Sequence, residues 1–224
     1  MVESFFSGNA QSYDRVVRLA TLGLDWIWKN RLLARVPRSD AILDLACGTG
    51  IVTFDLAKRF PNARIVGLDF THGYLEVARQ KADRLGVDVT FVHANAETAV
   101  FDETFDCITA SYLPKYVDPH TLLANLAPAL RPGGAVVLHD FTCPAHPVAR
   151  KIWLGYNHVL NAVGLRIWPE WHDVFDDNLT ELIVQADWMT TYPEAFREHG
   201  FTDIHVERLT LDTGGVVFAR KAAS

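Results

Sequence analysis

The sequence predicts an α/β fold: a doubly wound, mostly parallel seven-stranded sheet closed by an antiparallel C-terminal hairpin. Three observations predict it. Short apolar runs alternate with segments of helical spacing from residue 41 to residue 139. The first of these runs ends in a glycine turn, Gly48-Thr49-Gly50, that opens a helix. Two final apolar runs, 204–210 and 216–220, flank Asp212-Thr213-Gly214-Gly215, whose glycines suit a hairpin. Alternation of this kind buries a parallel sheet between two helical layers.

In order, residues 10–36 read as a helical lead-in. Strands follow at 41–46, 64–69, 87–92, 104–110 and 134–139, each a short apolar run bounded by turn residues. Helical spacing occupies 51–60, 73–85 and 122–130, the last stopped by Pro132-Gly133-Gly134. A long insertion, 142–192, precedes a last helix beginning near Pro193. Nothing divides the chain, so residues 1–224 read as one domain. All six tryptophans, Trp26, Trp28, Trp153, Trp168, Trp171 and Trp188, lie in the lead-in and the insertion. Such rings pack added helices onto a domain, and they also suit a lid over an apolar pocket.

Composition narrows the partners. With 224 residues the chain can bury a full core. A net charge of −6 with no basic cluster argues against nucleic acid, whose phosphates need a concentrated cationic face. The N-terminus shows no signal-peptide pattern, and Cys47, Cys107 and Cys143 suggest neither a disulfide framework nor a metal site. A cytoplasmic protein is expected. The uncharged stretch 152–165 is broken by Asn157, His158 and Asn161, which suits a buried or interfacial helix better than a membrane span.

The chemistry concentrates at the ends of the strands. Asp44-Leu45-Ala46-Cys47-Gly48-Thr49-Gly50 leaves a buried strand and enters a helix. Glycines there let the chain turn sharply and bring backbone N–H groups close to a ligand. Asp69 ends the next strand 21 positions after Gly48, where a carboxylate can accept both hydroxyls of an adenosyl ribose. A dinucleotide fingerprint would have a third small residue where this chain has Thr53, and Asp44 is no part of that fingerprint. Asn95-Ala96-Glu97 follow the third strand, where an amide or carboxylate can read an adenine edge.

With these segments in hand, the chain resembles the ubiquinone/menaquinone biosynthesis C-methyltransferase family along nearly its whole length. Phe6-Ser7 through Tyr13-Asp14, Leu22-Gly23-Leu24 and Trp28-Lys29 match that family's lead-in. Val66-Gly67-Leu68-Asp69, Ala94-Asn95-Ala96-Glu97 and Leu130-Arg131-Pro132-Gly133-Gly134 match its internal segments, and Thr213-Gly214-Gly215-Val216-Val217 its ending. The resemblance implies S-adenosylmethionine (SAM) as cofactor. It implies cofactor contacts from Tyr13, Asp44, Ala46, Cys47, Gly48, Gly50, Asp69, Phe70, Asn95, Ala96, Glu97, Ser111 and Tyr112. It implies methylation of a small aromatic, quinol-like or phenolic acceptor. One departure stands out: the family's G-F-G-L-R-N-V becomes Ser111-Tyr112-Leu113-Pro114-Lys115-Tyr116-Val117, so Lys115-Tyr116 replace Arg-Asn. Lysine does not reproduce arginine's planar fork.

Methyl transfer needs a near-attack geometry, a dry site and a base for the acceptor hydroxyl. His139 and Asp140 end the fifth strand, and Lys115 and Tyr116 follow the fourth. These four are the candidate catalytic residues. His158 and Trp171-His172-Asp173 could reach in from the insertion. Contrasting readings are O- or N-methylation of another metabolite, a nicotinamide-dependent oxidoreductase on a similar sheet, and a SAM-binding module without catalysis. No metal is expected. A lipophilic acceptor would bring at most peripheral membrane contact, and a homodimer stays open.

Overall fold

Seven strands form one sheet in the order β3-β2-β1-β4-β5-β7-β6. The computed structural model describes residues 9–175 and 178–223, so Phe6-Ser7 of the lead-in and the side chain of Asp173 lie outside the described residues. The lead-in folds as α1 (Tyr13–Ala20) and α2 (Leu24–Arg35). The alternating part runs β1 (Ala41–Leu45), α3 (Ile51–Arg59), β2 (Arg64–Asp69), α4 (His72–Leu85), β3 (Thr90–His93), β4 (Phe105–Ser111), α5 (Pro119–Leu126) and β5 (Leu130–Phe141). The insertion forms α6 (Pro147–Ile167), a short 3₁₀ turn (Pro169–Trp171), α7 (His172–Phe175) and α8 (Asn178–Gln185). Last come α9 (Trp188–Glu198), β6 (Phe201–Leu209) and β7 (Gly214–Lys221).

Strands β1 to β5 pair in parallel, and β7 lies antiparallel between β5 and β6. The expected doubly wound sheet with a terminal hairpin is what forms. Alternate residues of the central strands serve two cores. Leu43, Leu45, Ile108, Val136, Leu138 and Val217 pack toward α5 and α9. Ile42, Cys107, Ala135, Val137 and Val216 pack toward α2 and α3. Burial on both faces explains why these strands read as unbroken apolar runs. Strand order reverses between β1 and β4, which opens a crevice at their carboxyl ends.

Several boundaries differ from the sequence expectation, each for a local reason. Strand β3 starts at Thr90 because Gly86, at φ 63°, ends α4 and the Val87 N–H donates back to the Ala82 carbonyl at 3.2 Å. Helix α5 begins at Pro119, before residue 122, because Asp118 caps it by accepting from the Thr121 N–H at 2.8 Å. It also ends by Leu126, since Leu130 already pairs with Phe105. Helix α9 starts at Trp188, and Pro193 sits inside it. Buried Trp188, Met189, Tyr192 and Phe196 outweigh the one backbone donor that the proline lacks.

The hairpin forms, but its glycines are not in the turn. Thr210, Leu211 and Asp212 take the positive φ values, 44°, 53° and 69°. Arg208 braces them by donating to Asp212 at 2.6 Å. Gly214 and Gly215 open β7 instead, where an added Cβ would lie 3.0 Å from the Trp28 ring and 2.3 Å from the Met189 sulfur. On the outer side, β6 shifts register between Thr202 and His205, with Asp203 at φ 51°. Cys47 and Cys107 are buried, Cys143 is half-buried, and all three are free thiols. Among the described residues no helix is long and apolar enough to cross a membrane.

Two glycines should answer alanine in opposite ways. At Gly134 a Cβ would meet the Arg131 carbonyl at 2.8 Å and the Asp106 carbonyl at 3.0 Å. Gly134→Ala should therefore cost about 1–3 kcal/mol in urea unfolding, as overpacking against backbone does. Gly155, in α6, faces open space. Gly155→Ala should be neutral or gain up to about 1 kcal/mol from helix propensity.

Candidate functional site

The glycine loop sits at the carboxyl end of β1. Ala46, Gly48 and Gly50 take positive φ values of 49°, 56° and 87°. The Cys47 N–H donates to the Leu68 carbonyl at 3.0 Å, tying the loop to β2. Asp69 holds the far side: its carboxylate accepts from the Gly48 N–H and the Thr71 N–H, each at 2.8 Å. A Cβ on Gly50 would lie 2.5 Å from the Phe54 ring, and the φ of 87° itself favours glycine at that corner.

Asp44 lies beneath the loop, 1% exposed. It accepts from the hydroxyls of Thr53 at 2.7 Å and Thr109 at 2.8 Å. Burial pushes its carboxyl up to about 6, against the pull of the two threonines and of Lys29. Thr53, which breaks the dinucleotide fingerprint, thus serves Asp44. Further along the crevice, Asn95 is exposed and its side chain accepts from the Glu97 N–H at 2.9 Å, so it shapes its own turn. Ala96 is buried, Glu97 and Phe70 are half-buried, and the Phe70 carbonyl lies 2.7 Å from His93 Nε2.

Helix α1 closes over the loop. Asp14 accepts from the Thr49 hydroxyl and from Lys81 Nζ, both at 2.5 Å. Tyr74 donates to Asn9 at 2.6 Å. The Tyr13 ring lies between those of Tyr74, at 5.1 Å, and Trp171, at 5.8 Å. The cleft left between Tyr13, Asp44, Gly48, Ser111 and Tyr112 is only about 20 Å³.

Tyr112 divides this cleft from a second, larger space. Its φ of 66° is uncommon for a bulky residue and is held by an N–H bond to the His139 carbonyl at 2.9 Å. The ring stacks on Phe141 at 4.5 Å. The hydroxyl donates to Asp25 at 2.5 Å, and Asp25 also binds Lys29 at 2.8 Å. Burial and the Asp25 charge push the Tyr112 phenol up, so it stays protonated.

Lys115 and Asp140 form a buried ion pair at 2.8 Å, with side chains 1% and 0% exposed. Asp140 also accepts from the backbone N–H groups of Lys115 at 3.1 Å and Phe141 at 2.7 Å. Burial pushes the carboxyl up and the ammonium down, each opposed by the partner's charge. The Lys115 ammonium also lies 4.1 Å from the Tyr116 ring centroid. His139 is fully buried beside Trp28. Its Nδ1 meets the Ser111 hydroxyl at 2.9 Å, and its Nε2 has no hydrogen-bond partner among the described residues. Burial, reinforced by Lys29 and Lys115, holds the imidazole neutral.

Beyond Tyr112 opens an apolar cavity of about 620 Å³, within the usual range for small-molecule sites. Its walls include Trp28, Phe141, Trp153, Tyr156, Trp171 and Phe175, with Tyr13, Tyr112, Lys115 and Tyr116 at the inner end. Of the candidate catalytic residues, Lys115 and Tyr116 line it, whereas His139 and Asp140 lie behind its wall. His158 and His172 are exposed. The tryptophans divide: Trp28 and Trp171 are buried and also line the cavity, Trp153 lines it half-buried, Trp188 fills a core, and Trp26 is exposed. The sequence pattern includes Lys29 in the lead-in without a role and passes over Asp25. Their i, i+4 spacing on α2, next to Trp28, was the available signal.

Known proteins share this fold. Geranyl diphosphate C-methyltransferase from Streptomyces coelicolor, solved with S-adenosyl-L-homocysteine, superposes with a TM-score of 0.64 at 15% identity, covering 89% of this chain and 77% of that one. At such identity the likeness concerns the fold. The chain is 28% identical over 219 residues to the ubiquinone/menaquinone biosynthesis C-methyltransferase UbiE of Desulfotalea psychrophila, covering 96% of this chain and 88% of that one. It is 38% identical over 169 residues to a demethylmenaquinone methyltransferase of Clavibacter sepedonicus, 72% of this chain and 65% of that one. A Rossmann-like sheet, a glycine loop at its switch point and these relatives define a SAM-dependent methyltransferase. Residues 1–223 match the ubiE/COQ5 methyltransferase family, and the chain belongs to it.

Asp140→Ala should cost about 3–5 kcal/mol in denaturant unfolding, because it leaves the Lys115 ammonium buried and unpaired. The double variant Lys115→Met/Asp140→Leu should recover most of that loss. Equal destabilisation by both variants would mean that the ion pair itself holds this corner.

Proposed function

We propose that the protein transfers the methyl group of SAM to a ring carbon of an apolar, quinol-like acceptor. One observation supports this reading above the others. Tyr13 and Tyr112 line both the cleft at the glycine loop and the 620 Å³ apolar cavity, so donor and acceptor sites meet at these two side chains. The relatives' printed activities agree with it. We further read the enzyme as cytoplasmic, on the strength of three free thiols.

On the donor side, Gly48 and Gly50 give a backbone surface without Cβ atoms, with Ala46 and Cys47 completing the loop. Asp69 ends β2 and Phe70 follows it where the ribose would lie, and Asn95, Ala96 and Glu97 flank the adenine end. Tyr13, Ser111 and Tyr112 close the methyl end. The donor set suits SAM, because buried Asp44 offers a carboxylate to a cationic ligand and no nest for a pyrophosphate is needed. When bound, SAM supplies a methyl already activated on a sulfonium.

The remaining work falls to the chain. An acceptor ring in the cavity presents its hydroxyl to Tyr112 Oη. The Tyr112 proton moves to Asp25 as the tyrosine oxygen takes the acceptor's proton. Electron density released into the ring forms the new C–C bond as the C–S bond breaks, with that electron pair left on sulfur. The ring proton is then released to solvent, which restores aromaticity, and the acceptor oxygen takes its proton back from Tyr112 as Asp25 returns the other. Lys115, held by Asp140, faces the same space and favours negative charge on the acceptor oxygen. Aromatic walls exclude water from the in-line displacement.

Ionising Asp44 costs the unliganded protein stability as pH rises from the ordinary 3.8 through about 6, because the folded form holds that proton longer. A cationic ligand reverses the preference. SAM affinity, followed by calorimetry, should therefore rise as pH increases through about 6, and Asp44→Asn should flatten the profile. A profile unchanged by Asp44→Asn would remove Asp44 from the donor site.

Labelled SAM offered with reduced prenyl quinols and with soluble phenols should methylate a ring carbon of the quinols. Activity confined to soluble phenols would refute the acceptor assignment. On the true acceptor, Tyr112→Phe and Asp25→Asn should each lower kcat by about 10²-fold or more with SAM affinity kept, the size expected for lost proton transfer.

A further inference from the structure

Helix α6 is apolar on two adjoining faces. Its 21 residues span about 31 Å. One face carries Trp153, Tyr156 and Leu160, which wall the acceptor cavity. The other face carries Val148, Ile152, Val159, Val163 and Ile167, which are 61%, 69%, 60%, 44% and 57% exposed. At 100° per residue these five fall within one arc of about 100°, a continuous ridge along the helix. An apolar ridge of that length facing water marks an interaction surface.

We propose that this ridge docks on a lipid bilayer carrying anionic headgroups, and so sets the mouth of the acceptor cavity on the membrane. Charge argues for that occupant. The whole chain has a net charge of −6, yet α6 contains Arg150, Lys151 and Arg166 and no Asp or Glu. Apolar exposed residues beside cations alone are the pattern of a helix lying in the headgroup boundary. A second copy of the chain fits less well, because a two-fold contact along α6 would set the same cations against each other.

Position supports it as well. Val148 and Ile152 belong both to the ridge and to the cavity lining, and the strongly exposed Leu22 (74%) and Leu211 (83%) also line the cavity. The ridge therefore runs into the cavity rim, where a lipophilic acceptor could pass from bilayer to site without crossing water. That last step rests on the acceptor assignment above; the docking surface does not.

Vesicle flotation of the full chain, without any acceptor, tests the surface alone. The protein should float with vesicles of phosphatidylcholine and phosphatidylglycerol, and much less with phosphatidylcholine only. Val159→Glu/Val163→Glu changes ridge residues outside the cavity lining. It should lower partitioning by about tenfold or more, as expected when buried apolar contact is lost, with SAM affinity and the melting curve unchanged. Three results would each overturn the proposal: no flotation of the parent protein, equal flotation with both vesicle types, or a dimer in sedimentation velocity that the double variant dissolves.

Discussion

Every charge buried at the carboxyl edge of this sheet has a partner inside the protein, and the site takes its shape from those partners. Lys115 and Asp140 are the extreme case, with almost no exposed side-chain surface. Neither could be buried alone, because desolvating one ion costs several kcal/mol. Their pairing draws the loop after β4 against the end of β5. It thereby sets the spacing of Tyr112, Tyr116 and Phe141 around the ammonium. Lys29 and Asp25 form a second such pair, and Tyr112 joins the two groups, its hydroxyl donating to Asp25 and its carbonyl accepting from Lys115.

The result is a crevice with two unlike halves. One half is built from backbone turns and carboxylates, each oxygen of Asp44 and Asp69 already fixed by a hydroxyl or an N–H. The other half is built from rings and branched aliphatics contributed mostly by segments outside the alternating core. A polar half that is preorganised and an apolar half that is dry are the two conditions that displacement at a sulfonium methyl rewards. The scaffold supplies the first, and the lead-in with the insertion supplies the second.

What the sequence makes legible follows from this division. The loop and Asp69 can be read because their geometry is local: glycine at positive φ, then a carboxylate at the end of the adjacent strand. Lys115 and Tyr116 stand out because they break a family pattern, and they do line the cavity. His139 and Asp140 were placed at the correct edge, but strand periodicity does not reveal that both lie behind the wall. Asp25 escaped notice because its partner Tyr112 is 87 residues away, a contact created only when α2 folds over β4. The hairpin was legible as a hairpin, but its glycines answer to Trp28 and Met189, far off in sequence, and not to the turn.

The bulged outer strand has a consequence for the molecule's social behaviour. A sheet of seven strands has two open edges, each a template on which another chain could add its backbone. Here β3 offers only four residues. The other edge, β6, is interrupted by its register shift at Thr202 to His205, by Asp203 in the left-handed region, and by charged Glu207 and Arg208 further along. Neither edge presents a long, flat, unpaired ladder. Contacts with other molecules are thereby left to side-chain surfaces, and runaway strand addition is opposed at both ends of the sheet.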